Sequence, residues 1–281
     1  MGLINNSMSG GRSVSAGLLN PRANRGNTSQ AALFWAGGGV IPPVATGGTI
    51  TNISVGGTAY KLHTFTSSGT LTVTTGGDID YMLVAGGASS NSGGTGGGAG
   101  QVRDGTLAVA TTTYSIVVGG ATSVSSGFGV TAATGTAGGT SGNGFVAGSG
   151  YSGTFQNSLQ GGGAGATANG GNATSNTQPG PGGAGRDIST WLGQSATTTY
   201  KGGGGGGAAF HSIDWGNPTP GTSAGGIGGG GNGGHGGNSA NGTTNSGGGA
   251  GASGSTQGYP FDTGTGRTGG SGIVYVRYPA S

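Results

Sequence analysis

Apolar and polar positions alternate at the two ends of a long central stretch and lose their pattern between them. "YKLHTFTSSGTLTVTTG" holds two runs of Thr and apolar residues around Ser67, Ser68 and Gly69, which predicts a β-hairpin or β-meander. In "DIDYMLVAGG", Ile79, Tyr81 and Leu83 fall on one face of a strand and Met82 and Val84 on the other, so both faces are apolar. That is the pattern of a strand buried on both sides. "GTLAVA" and "TYSIVVGG" add two more strands, the second aligning Tyr114, Ile116 and Val118. The final candidate, "SGIVYVRYPA", comes only at 271–280. Its late return makes the intervening chain a set of excursions from one small β framework.

Those excursions are dominated by glycine. With 77 glycines in 281 residues, 31% hydrophobic and 5% charged, the composition lies far from that of an ordinary globular domain. Glycine loses much backbone entropy on folding, which favours disorder. The near absence of charge removes the repulsion that holds disordered chains open. Interior glycines argue against helices, and the failure of a strict three-residue glycine period excludes collagen. One tract carries a looser period: Asn232, His235, Asn238 and Asn241 stand three apart, with glycines between the first three of them. An extended polyproline-II-like helix has three residues per turn, so these side chains are expected on one stripe with bare backbone elsewhere. Backbone groups buried in such a helix must pair with neighbours of the same kind. The fold class expected is therefore all-β, a small β-sandwich-like framework whose glycine-rich excursions pack as polyglycine-II helices. The expected divisions are an N-terminal arm at 1–45, the framework at 46–119, the glycine-rich region at 120–270 and a returning strand at 271–281.

Charge is sparse but unevenly placed. Arg12, Arg22, Arg25 and Lys61 all precede the first acidic residue, Asp78. Within the basic arm, "AALFWAGGGVIPPV" forms an apolar knot around Leu33, Phe34 and Trp35 that either anchors the chain to a partner or folds back on the body. A net charge of +3 is too diffuse for a nucleic-acid footprint. No segment has the length for membrane insertion, and the first residues lack the basic and apolar regions of a secretory signal. Without cysteine there are neither disulfides nor thiolate metal sites.

Catalytic patterns are missing as well. Glycine-motif matches arise by chance in a chain of this composition, and no Gly-Lys-Ser or Gly-Lys-Thr supports a P-loop. His63, His211 and His235 are widely separated, there is no Glu, and no metal-ligand spacing occurs, so each histidine reads as a surface or hydrogen-bonding residue. His211 and Asp214 could share a loop, yet no nucleophile motif accompanies them. No enzyme, cofactor or metal is expected. Aromatic islands between the glycine runs are the remaining feature, and Tyr151, Phe155, Trp215, Tyr259 and Phe261 are the candidate receptor-facing residues. Aromatic faces beside Asn, Gln, Asp and Ser suit a sugar or a protein loop. The same residues could instead cap a lattice that has little apolar volume, the role expected of Trp191 and Phe210.

The succession "YKLHTFTSSGTLTV", "DIDYMLVAGGASS", "GGGAGQVRDGTLAV", "TYSIVVGG" and "GGSGIVYVRYP" resembles the glycine-rich domain of tailed-bacteriophage fibre and other virion proteins. The likeness runs over about 55–281 and is specific at its two ends. The interior is similar in kind to polyglycine-II tail-fibre adhesins, from which this chain departs in its β framework and basic N-terminal arm. The resemblance implies a non-enzymatic virion structural protein, a surface fibre or fibre-like appendage contributing to host attachment. It would be made in the host cytoplasm and fastened to other virion proteins through residues 1–45, with Arg12, Arg22, Arg25, Leu33, Phe34 and Trp35 as assembly residues. A homo-oligomer, a trimer above all, and a host surface glycan or protein are the partners implied. A capsid decoration protein docking through the same arm is the alternative, and a cellular glycine-rich filament or matrix protein a third.

Overall fold

The alternating runs become strands because β-branched and aromatic side chains pack well on a pleated surface. The computed structural model describes residues 42–90, 94–152, 158–175, 177–209, 211–212, 221–235, 239–254, 256–257 and 267–280. Among them every regular element is a strand. The chain divides into two units, Met1–Val40 and Ile41–Ser281, and the described residues all lie in the second. Nine framework strands are β1 (Val44–Thr46), β2 (Thr49–Val55), β3 (Thr58–Phe65), β4 (Gly69–Thr75), β5 (Gly77–Val84), β6 (Val102–Val109), β7 (Thr113–Ile116), β8 (Ser125–Gly127) and β9 (Val130–Ala132). The returning strand, Ile273–Pro279, follows the excursions.

Two antiparallel sheets face each other. One has five strands in the order β2, β3, returning strand, β5, β6, and the other has three in the order β1, β4, β7. Ala45, Leu71, Val73 and Ile116 of the smaller sheet meet Phe65, Ile79, Tyr81, Leu83, Val109, Val274, Val276 and Tyr278 of the larger. The opposite face of the larger sheet is also covered. There Leu62, Met82, Val84, Val102, Ile273 and Tyr275 pack against Ala166, Ile188 and Leu192 of the excursions. The two-faced apolar pattern of β5 is thus satisfied by a sheet on one side and glycine-rich chain on the other.

The hairpin expected around Ser67–Gly69 does not form. β3 pairs with β2 and the returning strand, whereas β4 pairs with β1 and β7. Phe65 and Leu71 enter one core from opposite sheets, so the short connection crosses the sandwich instead of doubling back within one sheet. The true two-residue hairpin joins β2 to β3 through Gly56 and Gly57, whose φ values of 58° and 86° match a type I′ turn.

Beyond Val84, Val102 and Ile273, at one pole of the sandwich, the chain continues as extended glycine-rich rods. The run "GGGGGGAA", Gly202–Ala209, lies buried at their centre. Its N–H groups repeat with a period of three. Those of Gly203, Gly206 and Ala209 donate to the carbonyls of Gly228, Gly231 and Gly234; those of Gly204 and Gly207 to Gly183 and Gly180; those of Gly205 and Ala208 to Gly97 and Gly94. Its carbonyls follow the same rule. Gly202, Gly205 and Ala208 accept from Ala166, Gly163 and Gln160, Gly203 and Gly206 from Gly249 and Ala252, and Gly204 from Gly226. The rod therefore has six neighbouring segments, parallel and antiparallel, as a three-fold helix packed in a hexagonal lattice requires. Eight residues at 3.1 Å each give it a length of about 25 Å.

Glycine is needed here for closeness. A Cβ on Gly203, Gly204, Gly205 or Gly207 would approach neighbouring backbone more closely than 3.0 Å. Rods at hydrogen-bonding distance leave no room for side chains, and every buried N–H and C=O must find a partner. The glycine run is thus structural material.

One sequence expectation fails in detail. Asn232, His235, Asn238 and Asn241 do not share a straight stripe, because the N–H of Ala240 donates to the carbonyl of Asn232 at 2.8 Å. In one straight rod these two residues would stand about 25 Å apart. Asn232 and Ala240 therefore belong to neighbouring segments, and the three-residue spacing does not mark one stripe. Asn238 lies outside the described residues.

Candidate functional site

The rods end, at the pole away from the sandwich, in short ladders. Tyr151–Ser152 pairs antiparallel with Ser158–Leu159, and Leu159 bridges to Ala209. His211–Ser212 runs parallel to Thr256–Gln257, and Gly234–His235 parallel to Ser253–Gly254. Further contacts tie these pieces together: Ala209 N–H to Gly234 O, Ala208 N–H to Gly94 O, Ser90 N–H to Arg267 O, and Arg267 Nε to Ser239 Oγ at 2.8 Å. A small apolar cluster of Leu159, Ala173 and Ala209 sits beneath. Packing of the rods has gathered, side by side, the residues that border segments 91–93, 153–157, 213–220, 236–238 and 258–266.

The candidate receptor-facing residues fall largely in those segments. Tyr151 is described and is 38% exposed beside its ladder partner. Phe155, Trp215, Tyr259 and Phe261, like Phe210 and Asp214, lie outside the described residues. Neighbours of four candidates from three distant stretches nevertheless meet at one pole. Residues 1–41, with Arg12, Arg22, Arg25, Leu33, Phe34 and Trp35, also lie outside the described residues. The described chain begins at the opposite pole, where Val44 pairs with Thr75 close to the Gly77–Val109 end of the large sheet.

Trp191 belongs to neither pole. It packs on the outer face of the large sheet, its ring 6.1 Å from that of Tyr275 and 4.4 Å below the guanidinium of Arg277. Arg277 also donates to the Trp191 carbonyl and, at 3.0 Å, to Asp80, with Tyr60 on its other side. Trp191 therefore closes a small core, as expected, though on the sheet and not at the rod ends. A second ion pair, Arg186 with Asp104 at 2.7 Å, fastens the same excursion to β6.

His63 had no sequence signal of its special place. It is fully buried, with Nδ1 2.7 Å from the Gly47 carbonyl and Nε2 3.0 Å from the Tyr278 hydroxyl. That hydroxyl also accepts from the Ala45 N–H. Burial pushes the imidazole pKa down, so the ring is neutral, donating from Nδ1 and accepting at Nε2. The arrangement latches β1 to the large sheet. At the neck between sandwich and rods, Lys201 donates to the Asn245 carbonyl at 2.7 Å, and burial lowers its pKa too. Among the described residues no three metal-ligating side chains converge.

A glycine-rich domain family model matches residues 63–279, and the chain belongs to that family. The match opens at His63 in β3 and closes at Pro279 in the returning strand, so it spans the large sheet's inner strands and all the rods. No curated protein and no solved structure matches the chain.

Proposed function

We propose that the protein is a non-enzymatic structural component of a phage virion surface, a fibre or fibre-like appendage that presents the rod-end segments to a host glycan or protein. The observation carrying this reading is the polarity of the body. Hydrogen-bonded glycine rods hold the borders of five segments together at one pole, while the chain enters the sandwich at the other. Rigid elements that display loops are the usual platform for recognition. Residues 1–41 would supply the attachment to other virion proteins, with Arg12, Arg22, Arg25, Leu33, Phe34 and Trp35 as contacts.

Two measurements test this. Deleting residues 1–41, which spares β1, should leave a folded body that is missing from purified particles; normal incorporation refutes the arm's role. Replacing Trp215, Tyr259 and Phe261 together by Ala should abolish adsorption of particles to host cells without changing particle yield. Unchanged adsorption would refute the attachment role. A copy number that follows the capsid lattice, measured by mass spectrometry of purified particles, would favour the capsid decoration reading over the fibre.

A further inference from the structure

Asparagine followed by glycine occurs four times, at Asn143, Asn169, Asn232 and Asn241. The last three pairs are built into the rods, and there the packing dictates both residues. A Cβ on Gly170, Gly233 or Gly242 would come closer than 3.0 Å to the carbonyl oxygen of Gly162, Gly206 or Gly248, so each glycine is required by a neighbouring segment. Their asparagines are exposed, at the border of the lattice. The side-chain oxygen of Asn169 accepts the Val146 N–H at 3.0 Å, that of Asn232 the Gly225 N–H at 2.9 Å and that of Asn241 the Thr268 N–H at 3.0 Å. Each side-chain amide thus replaces the carbonyl that a further rod would supply. Asn172 does the same for Ser149 at 2.8 Å, one turn of the rod beyond Asn169. Asn143–Gly144 stands apart, in a turn whose glycine N–H returns to Ser141 and where a Cβ would meet nothing within 4 Å.

Asparagine before glycine is also the pair most open to ring closure, because glycine has no side chain to hinder it. The glycine nitrogen, once base has taken its proton, attacks the side-chain carbonyl carbon of asparagine. The side-chain nitrogen takes up a proton from water and leaves as ammonia, and a five-membered succinimide remains. Water then opens the ring at either carbonyl, giving aspartate or isoaspartate, and the main chain of isoaspartate is one carbon longer. The lattice holds both reacting groups shut. The N–H of Gly170 donates to the Val146 carbonyl and that of Gly242 to the Thr268 carbonyl, the same residues whose N–H groups hold the asparagine oxygens, while Gly233 donates to Ser223. Ring closure would have to break both bonds at each site, and Gly170 and Gly233 are buried away from base. We propose that Asn169, Asn232 and Asn241 are latent modification sites, shut in the folded protein and opened by unfolding, and that isoaspartate formed at them bars the chain from the lattice. Aspartate would still accept the N–H. The extra carbon of isoaspartate instead throws the residues that follow out of step with neighbours met at every third residue. Time spent unfolded thereby makes unfolding one-way.

The test uses the full chain, held at pH 8 either folded or in guanidinium chloride. Peptides containing the three asparagines are followed by mass spectrometry, with isoaspartate labelled by an isoaspartyl methyltransferase. All three sites should convert in denaturant, and conversion in the folded protein should be at least about a hundredfold slower, since it has to await opening. Denaturant is then removed after increasing times, and refolded protein is separated from the remainder by size. The refolded yield should fall as isoaspartate accumulates, with isoaspartate at the three sites confined to molecules that fail to refold. Equal conversion in folded and unfolded protein, no conversion in denaturant, or isoaspartate equally present in refolded molecules would overturn the proposal.

Discussion

At Gly205 a Cβ would come closer than 3.0 Å to the Ala250 carbonyl of a neighbouring rod, whereas at Gly120 it would meet nothing within 4 Å. Gly205→Ala is therefore expected to destabilise the protein by about 2 kcal/mol or more, since the rods cannot move apart without losing hydrogen bonds. Gly120→Ala should change stability by less than about 0.5 kcal/mol. Equal melting temperatures for the two variants would mean that the glycines act only as slack. His63 sets a different expectation. Its folded pKa lies below that of the unfolded chain, so the unfolded state takes up the proton first as pH falls. The latch contributes fully above the unfolded value of about 6.5. Below it stability declines, by up to about 1.4 kcal/mol per pH unit, until the folded pKa is reached. Thermal melts between pH 7.5 and 5 should show this decline, and it should vanish in His63→Gln.

Between elements, the large sheet depends on one excursion for the cover of its outer face. Arg277 holds that excursion through Asp80, the Trp191 carbonyl and two aromatic rings, and is mostly buried. Arg277→Ala should cost about 2–3 kcal/mol. Arg186→Ala breaks a more exposed ion pair and should cost less than about 1 kcal/mol. Chemical denaturation of the two variants checks the contrast; similar losses would mean that the excursion is held mainly elsewhere. Strands of this kind were legible in the sequence wherever apolar alternation was strong, as in β5 and the returning strand. The partners of β3 and β4 were not, because alternation states which face is buried and leaves open which sheet supplies the cover. β8 and β9 escaped notice, since "SSGFGVTA" offers almost no alternation and its pairing is fixed by neighbouring backbone. The lattice was legible only as a principle. Glycine signals that a rod can be approached closely, but which rods meet depends on lengths and turns, as the broken Asn232–Asn241 stripe shows.

For the whole molecule, six-sided enclosure of Gly202–Ala209 makes its amides as inaccessible as those of the sandwich core. Hydrogen exchange there should proceed only through global unfolding, at rates matching Val274 and Val276. Exchange typical of an open peptide would contradict the lattice. The placement of the returning strand between β3 and β5 has a consequence for synthesis. While the chain is still being made, β3 and β5 have no common neighbour, and every residue from 85 to 272 must appear before the seam between them can close. Folding of this body thus waits until Ile273–Pro279 has been made, and contacts between residues so far apart in sequence form slowly. A product cut short within the glycine runs keeps two inner strands without a mate and is left to proteases. The sheet itself thereby registers whether every excursion between β5 and the returning strand has been made.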